Sequence, residues 1–208
     1  MASSEQGKSA FQRTHLGEPA MARFHAALVN VLGVGVLLRG DSAVGKSECA
    51  LELVQRGHRL VADDVVQFEC LTGPDREPVL VGRSPEVIRH YMEIRGIGLL
   101  HIADLYGPEA VQDESTVELI CELEPWDEQA EYERIGIERP HEVILEVAVP
   151  RLILPVRPAR SMATLVEVAV RDGLQRRTGV NAAKRLDDRL KGSARLEAAQ
   201  NREDFLDE

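Results

Sequence analysis

The sequence predicts an α/β or α+β domain built around a mixed sheet. Three observations carry that reading: short β-branched-rich runs recur, helical periodicity is confined to a few segments, and turn residues separate them. Ala26 to Asn30 and Val34 to Leu38 read as two strands joined by a tight turn at Gly33. The second leads straight into a glycine-bracketed segment, residues 40–47. Beyond it Cys49, Ala50, Leu53 and Val54 recur at helical spacing, and Gly57 stops that helix. Leu60 to Ala62 is a short strand ending in Asp63 and Asp64. Val65 to Leu71 and Val79 to Val81 flank Thr72-Gly73-Pro74-Asp75 and predict a hairpin. Pro85 opens a predicted helix towards Glu93. Val117 to Leu123, Val143 to Val149 and Leu152 to Val156 predict three further strands. Leu165, Val168, Ala169 and Leu174 mark a late helix, and Ala182 to Leu190 a second.

With 208 residues, 44% of them hydrophobic, the chain suits one compact domain and is too apolar to be mainly disordered. Residues 1–24 are polar and aperiodic and read as an arm, 25–190 as the folded domain, and 191–208 as a charged tail. A net charge of −10 argues against a protein that tracks nucleic-acid phosphates. The longest near-apolar run, Ala26 to Leu38, contains Asn30 and two glycines and is too short to span a bilayer. No apolar signal segment follows Met1, and the three cysteines show no metal-like spacing, so a cytoplasmic protein with reduced thiols is expected.

Gly40-Asp41-Ser42-Ala43-Val44-Gly45-Lys46-Ser47 fits G-x-x-x-x-G-K-[ST] without a mismatch. Glycine lets the backbone curl so that successive N–H groups point at phosphate oxygens. Lys46 supplies a point charge for the β and γ phosphates, and the Ser47 hydroxyl is a ligand for Mg²⁺. A chance match is expected on the order of once per hundred chains of this length. The preceding strand and following helix lower that further, so residues 40–47 are read as a nucleotide or pyrophosphate site.

The other candidates are weaker singly. Adjacent residues on an extended chain point to opposite faces, so Asp63 and Asp64 are read either as acids with different tasks, one near Mg²⁺ and the other near an incoming hydroxyl, or as a solvated strand end. Glu93, in Glu93-Ile94-Arg95-Gly96-Ile97-Gly98, offers a hard oxygen to Mg²⁺, although spacing alone favours a helix ending in a surface ion pair and a glycine turn. His25 begins a strand leading towards the phosphate loop, and by residue type alone is as readily structural. Arg134 is by default a surface arginine. Pro155-Val156-Arg157-Pro158-Ala159-Arg160 is a basic loop in an acidic chain, either an anion contact or a rigid connector.

Together these residues resemble the catalytic domain of HPr kinase/phosphorylase, over about His25 to Leu190. The likeness rests on the phosphate loop, on Arg56-Gly57-His58-Arg59-Leu60-Val61-Ala62-Asp63-Asp64, on the Glu93 to Gly98 string and on Asn181-Ala182-Ala183. It implies a cytoplasmic enzyme that phosphorylates a serine of the phosphocarrier protein HPr with Mg²⁺ and ATP, or alternatively pyrophosphate, and removes that phosphate by phosphorolysis to pyrophosphate. It implies a fold similar to phosphoenolpyruvate carboxykinase and assembly as a homohexamer. By resemblance His25, Lys46, Asp63, Asp64 and Arg134 are catalytic, with Asp64 the better match for the proton acceptor. Ser47 and Glu93 match Mg²⁺ ligands, and residues 155–160 match the loop linked to dephosphorylation.

Three departures accompany the likeness. Family members usually carry a further N-terminal domain. The basic loop reads Pro-Ala-Arg-Ser where Pro-Gly-Arg-Asn is typical, and the hairpin tip Thr72 to Pro78 is longer than usual. A kinase of the same fold with another acceptor, and a non-catalytic ATP sensor, are the alternative readings.

Overall fold

The computed structural model describes residues 21–134 and 136–204. The predicted arm over residues 1–20 and the last four residues of the predicted tail lie outside the described residues. Strand β1 (Met21–His25) pairs antiparallel with β5 (Val65–Thr72), so residues 21–24 belong to the sheet and not to an arm. Strands β2 (Ala27–Val31) and β3 (Val34–Arg39) form the predicted hairpin, with Leu32 and Gly33 both at positive φ. The phosphate loop follows, then α1 (Lys46–Gln55) and β4 (Arg59–Ala62). Helix α1 ends as expected: the N–H of His58 donates to the carbonyl of Leu53 and that of Gly57 to Val54.

Strand β6 (Pro78–Arg83) completes the second hairpin with β5. The helix predicted from Pro85 does not form. A single 3-10 turn, Glu86–Ile88, gives way to strands β7 (Tyr91–Ile94) and β8 (Gly98–His101). Met92 and Ile94 alternate into the core while Glu93 and Arg95 face outwards, so a period of two stands where a helix is predicted. A short helix α2 (Ile102–Tyr106), strand β9 (Glu114–Thr116) and β10 (Leu119–Pro125) follow.

The run Val143 to Val149 is two strands, not one. Leu145 and Glu146 hold φ of 47° and 66°, which turns the chain between β11 (His141–Ile144) and β12 (Val147–Val156). No Gly or Asn marks that turn, so the sequence did not betray it. Strand β12 absorbs Leu152 to Val156; Pro155 is tolerated because β11 pairs only with residues 147–150, leaving that stretch without a ladder on its outer side. Helices α3 (Met162–Arg177) and α4 (Ala182–Asp204) close the chain, and α4 runs through residue 190 without a break, so the tail has no boundary there.

A six-stranded mixed sheet in the order β11-β12-β10-β3-β2-β4 carries helices on one face and a four-stranded antiparallel sheet, β1-β5-β6-β9, on the other. Strand alternation divides the two cores. Val36, Leu38, Cys121 and Leu123 meet Leu53 and Val54 of α1 and Ala163 and Val166 of α3. Leu28, Leu37 and Ile120 meet Val66, Phe68 and Leu80 of the second sheet. Cys49 and Cys121 are buried free thiols, and burial pushes Cys49 up to about 12, which keeps it unreactive.

Strands β3, β10, β12 and β4 all point the same way. β3 and β12 run parallel to β10, and β2 is antiparallel to both β3 and β4. Their carboxyl ends therefore share one edge, which collects residues 40–47, 63–64, 126–128 and 157–160. The two sheets approach closely at Gly35, where a Cβ would lie 1.7 Å from the Thr116 carbonyl oxygen. Gly35→Ala is expected to lose about 3 kcal/mol by forcing β9 away. Urea unfolding checks this: the midpoint falls, and an unchanged midpoint would refute the close approach.

Candidate active site

The phosphate loop is shaped before any ligand arrives. Gly40 holds φ of 137°, and a Cβ there would lie 2.2 Å from the Leu123 carbonyl oxygen, so only glycine fits where β3 passes β10. Lys46, at the first turn of α1, is buried and folds back so that Nζ donates to the carbonyls of Gly40 and Asp41, both at 2.9 Å. The loop begins at Arg39, whose guanidinium bonds Glu122 of β10 and Glu142 of β11, holding three strands together immediately below it.

The two aspartates that follow β4 are divided, one buried and one exposed, although Asp64 leaves the extended conformation on which the alternation argument rests. Asp63 is buried, 3% exposed, and accepts from the Ser47 hydroxyl at 3.0 Å. Asp64 turns outwards with φ of 68°, a conformation Asp tolerates better than most residues. Its Oδ1 stands 2.8 Å from His25 Nδ1, and both side chains are more than half exposed. Lys46, Ser47, Asp63, Asp64, His25 and Glu93 line one cavity of about 160 Å³, together with Arg95 and Glu48.

Burial pushes the Asp63 carboxyl up to about 6. Bonds from Ser47 and from the backbone at Asp64 and Glu93 oppose that rise, and the Asp64 charge adds to it. The folded chain thus retains this proton over a range where the unfolded chain, with its lower value of 3.8, has released it. Asp63 costs stability progressively as pH rises from 4 towards 6, and that cost persists above 6.

Arg134 is not part of this cluster. It is exposed and lines a separate cleft with Tyr132, Arg139, Arg151 and Asp172. The segment after Pro125 leaves the loop edge and runs back to His141, which pairs with Pro150, so Arg134 falls along the descent. In the basic loop, Arg160 donates to the Pro155 carbonyl at 3.3 Å and Ser161 caps α3. Ala159 holds φ of 61°, the left-handed region that favours glycine, so the alanine at this position carries backbone strain. Arg157 lies over the ring of Trp126, 3.1 Å from its centroid.

Sequence reasoning missed two residues. Arg95, two residues from Glu93 in the string already singled out but given no role there, lies just past β7 and brings Nη2 to 3.5 Å from the Ser42 hydroxyl. Trp126 carried no signal, since its place depends on β10 and β12 ending side by side.

The chain is thus a phosphate-loop α/β protein whose acid pair follows β4, one strand removed from the β3 that leads into the loop. The chain matches the family described as HPr Serine kinase C-terminal domain over residues 19–190, and it belongs to that family. The HPr kinase/phosphorylase of Caldicellulosiruptor bescii is 49% identical over 177 residues, covering 85% of this chain and 55% of that protein. The HPr kinase/phosphorylase of Geobacillus thermodenitrificans is 48% identical over 166 residues, 80% of this chain and 52% of that protein. The chain spans about half the length of the curated relatives it matches. Among solved structures, the Hpr(Ser) kinase/phosphatase from Coxiella burnetii superposes with a TM-score of 0.67 at 31% identity, covering 76% of this chain and 93% of that one. No helix among the described residues is long and apolar enough to cross a membrane.

Replacing the buried acid tests the electrostatics without substrate. In metal-free buffer at pH 7.5, Asp63→Asn is expected to gain about 2 kcal/mol over the parent and at pH 4 to gain little. Thermal unfolding at the two pH values reads the difference; an equal change at both would refute the assignment.

Proposed function

We propose that this chain is the catalytic domain of an ATP-dependent serine kinase that phosphorylates HPr and reverses that step by phosphorolysis. The names of the curated relatives support the acceptor and both directions. The observation that carries the chemistry is the division of two adjacent carboxylates: Asp63 is buried against Ser47, Asp64 is exposed against His25, and both face the phosphate loop.

Residues 40–47 bind the phosphates of ATP through backbone N–H groups, and Lys46 exchanges its bonds to Gly40 and Asp41 for phosphate oxygens. The donor set fits Mg²⁺, because Ser47, Asp63 and Glu93 present only hard oxygens to the cavity. Among the described residues no cluster of three or more His, Cys, Asp or Glu stands ready for a metal. Mg²⁺ needs none, since it is usually held by one or two protein oxygens with phosphates and water. When bound it neutralises charge on the β and γ phosphates.

Asp64 accepts the proton of the acceptor serine as its oxygen attacks in line. His25 Nδ1 donates to Asp64 Oδ1 and so orients the carboxylate. In reverse, Asp64 arrives protonated and returns that proton to the departing serine oxygen. Inorganic phosphate held by the loop attacks phosphoserine and leaves as pyrophosphate. One anion cradle serves both directions because either nucleophile leaves the phosphates in the same place.

A sensor that binds ATP without turnover has no use for the exposed Asp64–His25 pair. Incubating the protein with labelled ATP and purified HPr tests the forward reaction, and phosphoserine-HPr with phosphate tests the reverse. Lys46→Ala is expected to abolish both. Asp64→Asn retains the tolerance for positive φ, so it is expected to keep ATP affinity while transfer falls by about 10²–10⁴. Near-normal transfer by Asp64→Asn would overturn the acid–base role. Arg160→Ala, which opens the loop closed on Pro155, is expected to slow phosphorolysis more than phosphorylation, and equal losses would count against a directional role.

A further inference from the structure

Beside the phosphate cavity lies a second, of about 670 Å³, bounded by Val44, Trp126, Glu128, Val156, Arg157 and Pro158. Ala43 lines both, so the two spaces meet at the crest of the phosphate loop. On the far side of the phosphate cavity stand His25 and Asp64, where the acceptor must enter. A nucleotide whose phosphates fill the loop therefore has its nucleoside directed past Ala43.

The second cavity is built around a fixed aromatic plane. The Trp126 backbone N–H donates to the Val156 carbonyl at 3.1 Å, which ties the residue to the end of β12. Tyr132 stacks on the indole with centroids 4.9 Å apart and planes 24° from parallel, and its hydroxyl accepts from the Asp127 N–H at 3.0 Å. The planar guanidinium of Arg157 lies over the same indole. A flat group thus already packs against that face, and a neutral purine presents a flat face of its own for stacking on it. The Glu128 carboxylate on the cavity wall offers an acceptor to an exocyclic amine.

We propose that Trp126 is the stacking platform for the purine base of the bound nucleotide, and that the base takes the place Arg157 holds on that ring. Resting on the reading of residues 40–47 as a nucleotide site, this extends it to the nucleoside. Base and Arg157 compete for one surface, so a nucleotide releases Arg157 from the ring while bare phosphate or pyrophosphate leaves it there. The basic loop thereby distinguishes the phosphate donor of the forward reaction from the nucleophile of the reverse one.

Trp126 is the only tryptophan in the chain, so its emission reports the platform directly. Titrating the full chain with Mg·ADP is expected to shift that emission, and magnesium pyrophosphate is expected to bind without the same shift. By calorimetry, Trp126→Ala should weaken ADP about tenfold, as expected for one lost base–aromatic stack, with pyrophosphate affinity within about twofold. Trp126→Phe should recover most of the ADP affinity. Arg157→Ala, by removing the competitor, should tighten ADP several-fold. If Trp126→Ala binds both ligands like the parent, or if Arg157→Ala weakens ADP, the platform is refuted while the phosphate site stands. If the parent binds neither ligand, the nucleotide reading fails and this inference with it.

Discussion

The shared direction of β3, β4, β10 and β12 is the constraint on which the rest of the molecule depends. Strand β2 lies between β3 and β4 and is antiparallel to both, so the two point the same way although a helix separates them in sequence. That places the phosphate loop and the acid pair on one edge. The β10 pairing then brings Trp126 and the basic loop to the same edge from the other side.

Two neighbouring carboxylates acquire separate chemistry from burial alone. Asp63 sits under the first turn of α1, where desolvation outweighs the bonds it accepts from the Ser47 hydroxyl and two backbone N–H groups. Such a site favours a cation arriving with the phosphates, because it restores what burial took from the anion. Asp64 keeps its water and takes a histidine as its neighbour. The site therefore has one acid held for charge and one free to exchange a proton.

The basic loop is connected to the phosphate loop through helix packing as well as through Trp126. Ser161, which caps α3, donates to Glu52 of α1 at 2.9 Å, and Arg56 spans Glu52, Ser161 and Glu167. Buried His58 bonds Glu167 at 2.8 Å. These contacts fix the end of the loop to the helix that begins with Lys46 and Ser47. Arg160 and Ser161 are anchored through their side chains, while among the described residues the Arg157 side chain makes only its ring contact.

The strands before and after the phosphate loop, the helix with its Gly57 stop, and the hairpin of β5 and β6 were legible because periodicity and turn residues mark them locally. The turn at Leu145 and Glu146 was not, since its positive φ values occur on residues that carry no turn signature. Glu93 was read on a helix because four residues of alternation, Tyr91–Ile94, are too few to distinguish the two periods. The phosphate loop and the presence of two acids at a strand end can be read from residue type and local spacing alone. Only the tertiary structure decided which acid is buried, that Arg134 lies apart and that Trp126 stands beside the loop. Those outcomes depend on how strands distant in sequence align, and no local pattern encodes that alignment.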